Sequence, residues 1–311
     1  MADAALIEQV LKSNPTAVAR AISRVERGGT DARELIRAIF SHSGRAQIIG
    51  VTGPPGTGKS TLVNELAKEF KRRERKVAVI AVDPSSPFTG GAILGDRLRM
   101  QDLAGTGIFI RSMATRGQLG GLAAAVADAV VVLDVAGFDT IVIETVGAGQ
   151  SEVDIAKNAH TVVVLEAPGL GDEIQAIKAG ILEIADVLVV NKADRDGAQS
   201  TAAALEMNLS FNKETNGWRP PVLKTVAVRG EGITAAADAI EQHEAFLDRN
   251  DLRRQKERAR IEDELVHFLQ QELLSRTLAQ ASPSRLPALV EEIVSRKTDV
   301  YSAADKILID V

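Results

Sequence analysis

From residue 47 onward, short apolar runs recur at intervals long enough to hold a helix: QIIGVT, KVAVIAV, GIFI, DTIVIE, HTVVVLE, DVLVVN and PVLKTVAV. Most lack the strict alternation of a half-buried strand and read instead as strands covered on both faces. Seven such runs, separated by amphipathic or alanine-rich segments, predict a doubly wound α/β domain over 45–248. Its sheet is mainly parallel with about seven strands, and a ligand belongs at the carboxyl ends of those strands.

The flanks follow a different period. Before the strands, Val18, Ile22 and Val25 recur at helical spacing and Gly28-Gly29 ends the run. Leu35, Ile36 and Ile39 repeat the device, with Asp31 as the expected N-cap, so 1–44 reads as a helical N-terminal extension. After the strands, Leu252, Ile261, Leu265, Phe268, Leu269 and Leu273 lie among charges and predict a long amphipathic helix. Two shorter helices punctuated by Pro283 and Pro287 complete a C-terminal extension over 249–311. Its charge run at 253–264 reads first as a solvated helix face, and second as an arm for a partner or a second copy.

Composition narrows the partners. A net charge of -5 gives no basic footprint for nucleic acid. The absence of cysteine excludes disulfides and thiolate metal ligands and suits a reducing compartment. The N-terminus lacks a basic start followed by an apolar run, and no stretch approaches about eighteen uninterrupted apolar residues. A cytoplasmic protein without a membrane partner is the expectation.

The stretch VTGPPGTGKSTL, residues 51–62, fits G-x-x-x-x-G-K-[ST] from Gly53 to Ser60. It lies between a predicted strand and a predicted helix, where the pattern requires it. Gly53, Gly56 and Gly58 let backbone N–H groups curl around phosphate oxygens, and the helix N-terminus adds its positive dipole end. Pro55, Thr57 and Thr61 belong to the same phosphate loop. Lys59 reaches toward β- and γ-phosphates, and the Ser60 hydroxyl suits Mg²⁺. A nucleoside triphosphate is implied.

Its base is addressed by Asn191, Lys192, Ala193 and Asp194, directly after a buried run. The Asp194 carboxylate is an acceptor pair suited to the ring N–H and exocyclic amine of guanine, and it would repel adenine. Val226 and Ala227, after the final run, are expected to bring loop backbone to the base edge. In IVIETVGAGQSE, an acidic residue ends a strand and a glycine follows three positions on. Glu144 would face Mg²⁺ through water and the Gly147 N–H would meet the γ-phosphate. No glutamine follows that glycine directly and Gln150 is displaced, which predicts slow intrinsic hydrolysis. Asp83 and Asp96 are further carboxylates able to approach a metal held by Ser60; either could instead be a turn or helix-end residue. Two glycine-rich loops, RSMATRGQLGGLA and the one carrying Pro168, Gly169, Gly171, Asp172, Glu173, Gln175 and Lys178, exceed what nucleotide binding needs.

Taken together, GPPGTGKSTL, DPSSPFTGGAILGDRLRM, FIRSMATRGQLGGLA, ETVGAGQSE, GDEIQAIKAGILEIADVLVVNKAD and VLKTVAVRGEGI resemble the MeaB/ArgK-type GTPases associated with methylmalonyl-CoA mutase. The resemblance covers most of 15–245. It implies a P-loop GTPase and a G-protein chaperone that couples GTP hydrolysis to adenosylcobalamin loading and to protection or reactivation of an acyl-CoA mutase. By position it implies phosphate and Mg²⁺ contacts at Lys59 and Ser60, metal-side carboxylates at Asp83, Asp96 and Glu144, and guanine reading by Lys192 and Asp194. The loop from Pro168 to Lys178 matches a switch that responds to the mutase, and the terminal helices match a homodimer. One departure is Ala148, where family members often carry valine.

Other classes compete less well. A phosphotransferase would need an acceptor pocket with a base near the γ-phosphate, and no segment announces one. A metal-delivery GTPase would need a ligand cluster, yet the four histidines are scattered. A membrane-targeting GTPase would need a methionine-rich surface, and the chain has four methionines. Trp218, the single tryptophan, precedes the last predicted strand, so its emission is expected to report base binding.

Overall fold

The computed structural model describes residues 4–83, 103, 105–114, 121–145, 158–169, 182–211, 217–280 and 284–309. Met1–Arg253 form one compact unit and Arg254–Val311 a second.

In the first unit, β1 (Gln47–Thr52), β2 (Val77–Asp83), β3 (Phe109–Ala114), β4 (Thr140–Glu144), β5 (Thr161–Glu166), β6 (Val187–Val190) and β7 (Val222–Lys224) form a single sheet in the order β3-β2-β4-β1-β5-β6-β7. Every pairing is parallel. This is the expected doubly wound sheet. The order reverses at β1, which therefore sits centrally with its carboxyl end at the crevice where such sheets bind ligands.

The continuous apolar runs are explained by burial on both faces. Along each strand, alternate residues feed two separate cores. Ile48, Ile80, Ile141, Ile143, Val164 and Leu188 belong to one. Ile49, Val79, Val142, Val163, Leu165 and Val189 belong to the other. The first is closed by α1 (Ala4–Leu11), α2 (Pro15–Arg27), α3 (Gly29–Ile39), α5 (Gly121–Val135) and α6 (Ala198–Phe211). The second is closed by α4 (Lys59–Arg72) and α7 (Ile233–Arg249). The N-terminal helices thus supply core: Val18, Ile22, Leu35 and Ile39 are almost completely buried.

Local chemistry sets the element ends. Asn14 caps α2 by accepting from the Ala17 N–H at 3.1 Å, with Pro15 in the first helical turn. Asp31 is not the cap of α3. That helix already begins at Gly29, and Asp31 lies inside its first turn, where its charge still faces the positive helix end. β3 runs later than GIFI, through Ala114, pairing along β2 to Asp83. β7 is shorter than PVLKTVAV because the chain folds on itself beyond Thr225, where Val226 and Glu231 exchange backbone hydrogen bonds.

An ion-pair ladder locks α4 to α7. Arg73, just past α4, reaches Asp238 at 2.7 Å and Glu241 at 2.6 Å on α7, and also Glu69 on α4 at 2.9 Å. Burial opposes its charge, but the hydrogen-bonded carboxylates outweigh it and hold the guanidinium more firmly protonated. Arg75 continues the ladder to Glu244 at 3.1 Å.

All but the first two residues of α8 (Leu252–Gln280) belong to the second unit, where α9 (Arg285–Val294) and α10 (Val300–Ile309) follow. Pro287 does not punctuate these helices. It sits within the first turn of α9, where its missing N–H has no intrahelical partner to lose. No residue of α8 is buried in the chain. Lys306 and Glu292 join α10 to α9 at 3.0 Å. Among the described residues, no helix is long and apolar enough to cross a membrane.

Candidate functional site: a phosphate loop and its base-side brace

The loop after β1 is shaped by two contacts that exclude side chains. At Gly53, φ is 142° and a Cβ would stand 2.2 Å from the Leu165 carbonyl oxygen of β5. At Gly58, the residue capping α4, φ is 92° and a Cβ would stand 2.5 Å from Asn191 Nδ2. Only glycine permits both the left-handed backbone and the close approach. Thr57, fully buried, ties the loop inward by donating its hydroxyl to the Pro54 carbonyl at 2.9 Å. Pro55 and Gly56 are exposed at the tip, and Thr61 is half-buried in the first turn of α4.

Lys59 is buried at the start of α4, with its ammonium donating to the carbonyls of Gly53 at 2.7 Å and Pro54 at 3.1 Å. It therefore spans the mouth of the loop. Ser60 donates to Glu144 Oε1 at 2.5 Å. Sheet register explains the meeting: Val51 of β1 pairs with Glu144 of β4, so the carboxylate closes the neighbouring strand beside the loop. A hydroxyl and a carboxylate held together are hard oxygen donors of the type that suits Mg²⁺. The backbone of Asp83 ends β2, beyond the pairing of Ala81 with Glu144, at this same sheet edge. Asp96, Gly147, Gly171, Asp172, Glu173, Gln175 and Lys178 lie outside the described residues. Pro168 is buried and Gly169 exposed, immediately beyond β5.

The expected base side is built around Asn191, which is nearly fully buried just past β6. Its amide nitrogen donates to the Thr57 carbonyl at 2.8 Å, gripping the phosphate loop. Its side-chain oxygen accepts from the Thr225 hydroxyl at 3.0 Å and the Ala227 N–H at 3.1 Å, gripping the loop after β7. Its own N–H donates to the Glu166 carbonyl of β5 at 2.8 Å. Lys192, at φ 56°, extends over the loop to the Gly56 carbonyl at 2.6 Å. Asp194 follows, partly exposed and paired with Arg229 at 2.7 Å. Val226 and Ala227 follow in the loop after β7. Their N–H groups donate to Glu231 and Asn191 and so brace the loop.

Sequence reasoning passed over three participants. Glu166, 1% exposed, ends β5 much as Glu144 ends β4, and an acid closing an apolar run was the available signal. Thr145 donates to Thr52 at 3.0 Å, fastening β4 to β1 at the loop. Arg229 carried no local signal. Trp218, conversely, is placed away from the site. Its indole donates to the Asp186 carbonyl at 2.8 Å and packs 4.8 Å from His243 and 5.2 Å from Phe246. Asp186 precedes β6 and Asn191 follows it, so the indole lies at the opposite edge of the sheet, about 15 Å away by strand rise.

A phosphate loop between the central strand and its helix, on a parallel sheet wound on both faces, with a strand-end acid beside the loop serine, defines a P-loop nucleoside triphosphatase. The chain belongs to the family described as methylmalonyl Co-A mutase-associated GTPase MeaB, whose model matches residues 18–282. It is accordingly a GTPase. A Pyrococcus abyssi protein named for an inferred GTPase activity is 48% identical over 312 residues, covering 98% of this chain and 96% of that one. The GTPase ArgK of Escherichia coli is 40% identical over 223 residues, covering 70% of this chain and 67% of ArgK. The mitochondrial methylmalonic aciduria type A homolog of Mus musculus is 35% identical over 252 residues, covering 75% of this chain and 61% of that protein. A crystal structure described as an LAO/AO transport system kinase superposes with a TM-score of 0.75, covering 99% of this chain and 97% of that one. At 24% identity it establishes the shared fold alone.

Proposed function

We propose that this GTPase is a G-protein chaperone of an adenosylcobalamin-dependent acyl-CoA mutase, methylmalonyl-CoA mutase or a near relative. In this reading GTP hydrolysis gates cofactor loading and the protection or reactivation of the mutase. The observation that carries it is the family match across residues 18–282, joined to a site whose phosphate and base halves are linked through Asn191. Such a linkage is what a nucleotide-dependent switch needs, because the phosphate loop and the base loop then respond as one body.

GTP lies with its phosphates in the loop from Gly53 to Ser60, where backbone N–H groups and the α4 N-terminus favour anionic oxygens. On nucleotide binding the Lys59 ammonium exchanges its carbonyl partners for β- and γ-phosphate oxygens, a charge-assisted contact that strengthens as charge shifts toward the leaving group. Ser60 and Glu144, with Asp83 and Asp96, would hold Mg²⁺, which supplies charge neutralisation across the β- and γ-phosphates. Glu144 would serve the metal side of the site, and Gly147 is the residue assigned to sensing the γ-phosphate. Asp194 reads guanine, flanked by Lys192. The segment from Pro168 to Lys178 is the switch that meets the mutase, the chain acts as a homodimer through its C-terminal helices, and its location is cytoplasmic.

Steady-state GTP hydrolysis, alone and with purified mutase from the same source, tests this directly. The expected result is a slow basal rate that rises severalfold when the mutase is present. A rate unchanged by every candidate mutase would remove the customer and leave the GTPase activity standing alone.

A further inference from the structure

The loop after β7 does more than scaffold the base side. Val226 and Glu231 close it by reciprocal backbone bonds of 3.0 and 3.3 Å, and Gly230 turns it at φ 71°. Gly232, at φ 78°, lets it lie against β7, where a Cβ would stand 2.3 Å from the Lys224 carbonyl oxygen. This geometry delivers Arg229 to Asp194: the guanidinium donates to Asp194 Oδ2 at 2.7 Å, with Glu231 Oε1 3.5 Å from its other nitrogen.

Guanine presents two adjacent donors, the ring N–H and the exocyclic amine, and a carboxylate meets them with both of its oxygens. While Arg229 keeps its bond to Oδ2, it occupies one of that oxygen's acceptor positions and draws on the same negative charge that the guanine donors would use. We infer that Arg229 is a built-in competitor for the guanine-reading carboxylate, a positioning residue that weakens guanine nucleotide binding and speeds its release. The inference rests on the assignment of Asp194 to guanine. Glu231 gives the displaced guanidinium a second seat on the same loop, so the exchange of partners needs no rearrangement of backbone.

The size of the effect follows from exposure. The Arg229 and Asp194 side chains are 54% and 36% exposed. Pairs of that kind contribute enough to change affinity about two- to fivefold and no more. Competition therefore tunes nucleotide exchange without blocking it. It also discriminates: an inosine nucleotide lacks the exocyclic amine, makes one demand fewer on the carboxylate, and so competes less with Arg229.

Dissociation constants and release rates for GDP and IDP, measured on the full chain, test this. Arg229→Gln is expected to tighten GDP about two- to fivefold with correspondingly slower release, to change IDP less, and to keep its thermal midpoint. Arg229→Lys restores the competing charge and with it most of the weaker wild-type affinity. Equal or weaker GDP binding by Arg229→Gln, or parallel changes in GDP and IDP, overturns the inference. Asp194→Asn serves as the control on the base assignment, since an amide should trade GDP for XDP. If that exchange fails, the guanine reading falls and takes the competitor with it; if it succeeds while Arg229→Gln has no effect, only the competitor falls.

Discussion

A side chain's worth in this site depends on how many separate segments it joins. Asn191 joins three, and Asn191→Ala would leave the Thr57 carbonyl and the Ala227 N–H without their partner in a buried place. Loss of such bonds costs about 1–3 kcal/mol. A thermal midpoint lower by roughly 3–10 °C, with weaker guanine nucleotide binding, is the expected outcome in paired melting and binding measurements. Lys59→Ala also removes a donor from the Gly53 and Pro54 carbonyls, so a modest fall in midpoint is expected, but its main effect is loss of tight GTP binding. Gly53→Ala should yield little folded protein, because its added Cβ meets β5 backbone rather than a side chain able to move. The glycines, Lys59 and Ser60 were legible in the sequence because their pattern is contiguous. The Asn191 brace was not, since it depends on residues near 57, 166 and 225–227 that only the sheet brings together.

At the scale of elements, the strands were legible because each is an apolar run covered on both faces, a demand that depends little on neighbours. Their ends were less so. β7 stops after three residues because the chain beyond it folds back on itself at Val226 and Glu231 and is held by the Asn191 side chain just past β6, and nothing local in PVLKTVAV announces that. The join between α4 and α7 makes its own prediction. Hydrogen bonds from Arg72 lower the pKa of Glu69, burial opposes them, and Arg73 adds to the lowering. A carboxylate whose pKa is depressed by folding contributes stability above its unfolded value of about 4.3 and loses it as pH falls through the folded value. Urea unfolding of wild type should therefore show stability falling on acidification below about pH 4.3, with Glu69→Gln less stable near neutrality and shallower in that range. Identical pH slopes for the two proteins would show that Glu69 contributes nothing to the acid response.

At the scale of the whole molecule, the C-terminal unit presents apolar residues at helical spacing: Leu265, Leu269 and Leu273 of α8 are 55%, 47% and 62% exposed within the chain. A stripe of that kind is the expected seam of the proposed homodimer. Leu265→Glu combined with Leu273→Glu should shift the mass seen by light scattering toward the 33.1 kDa of one chain, with GTP binding retained. An unchanged mass would place the dimer contact elsewhere. Sequence periodicity located this helix but could not say what covers it, because an apolar stripe looks the same whether it faces a core or a copy.

The placement of Trp218 has a practical consequence. An indole lodged against His243 and Phe246, a strand length from the proposed nucleotide site, should keep one emission baseline whether or not GDP is bound. Its signal then follows unfolding of the first unit. Denaturation curves recorded at rising GDP concentration would convert directly into affinity, since a ligand bound only by the native state adds RT ln(1 + [L]/Kd) to its stability. The protein thus carries its own unlabelled binding assay, and every substitution discussed above in the first unit can be weighed on it for fold and for nucleotide in a single titration.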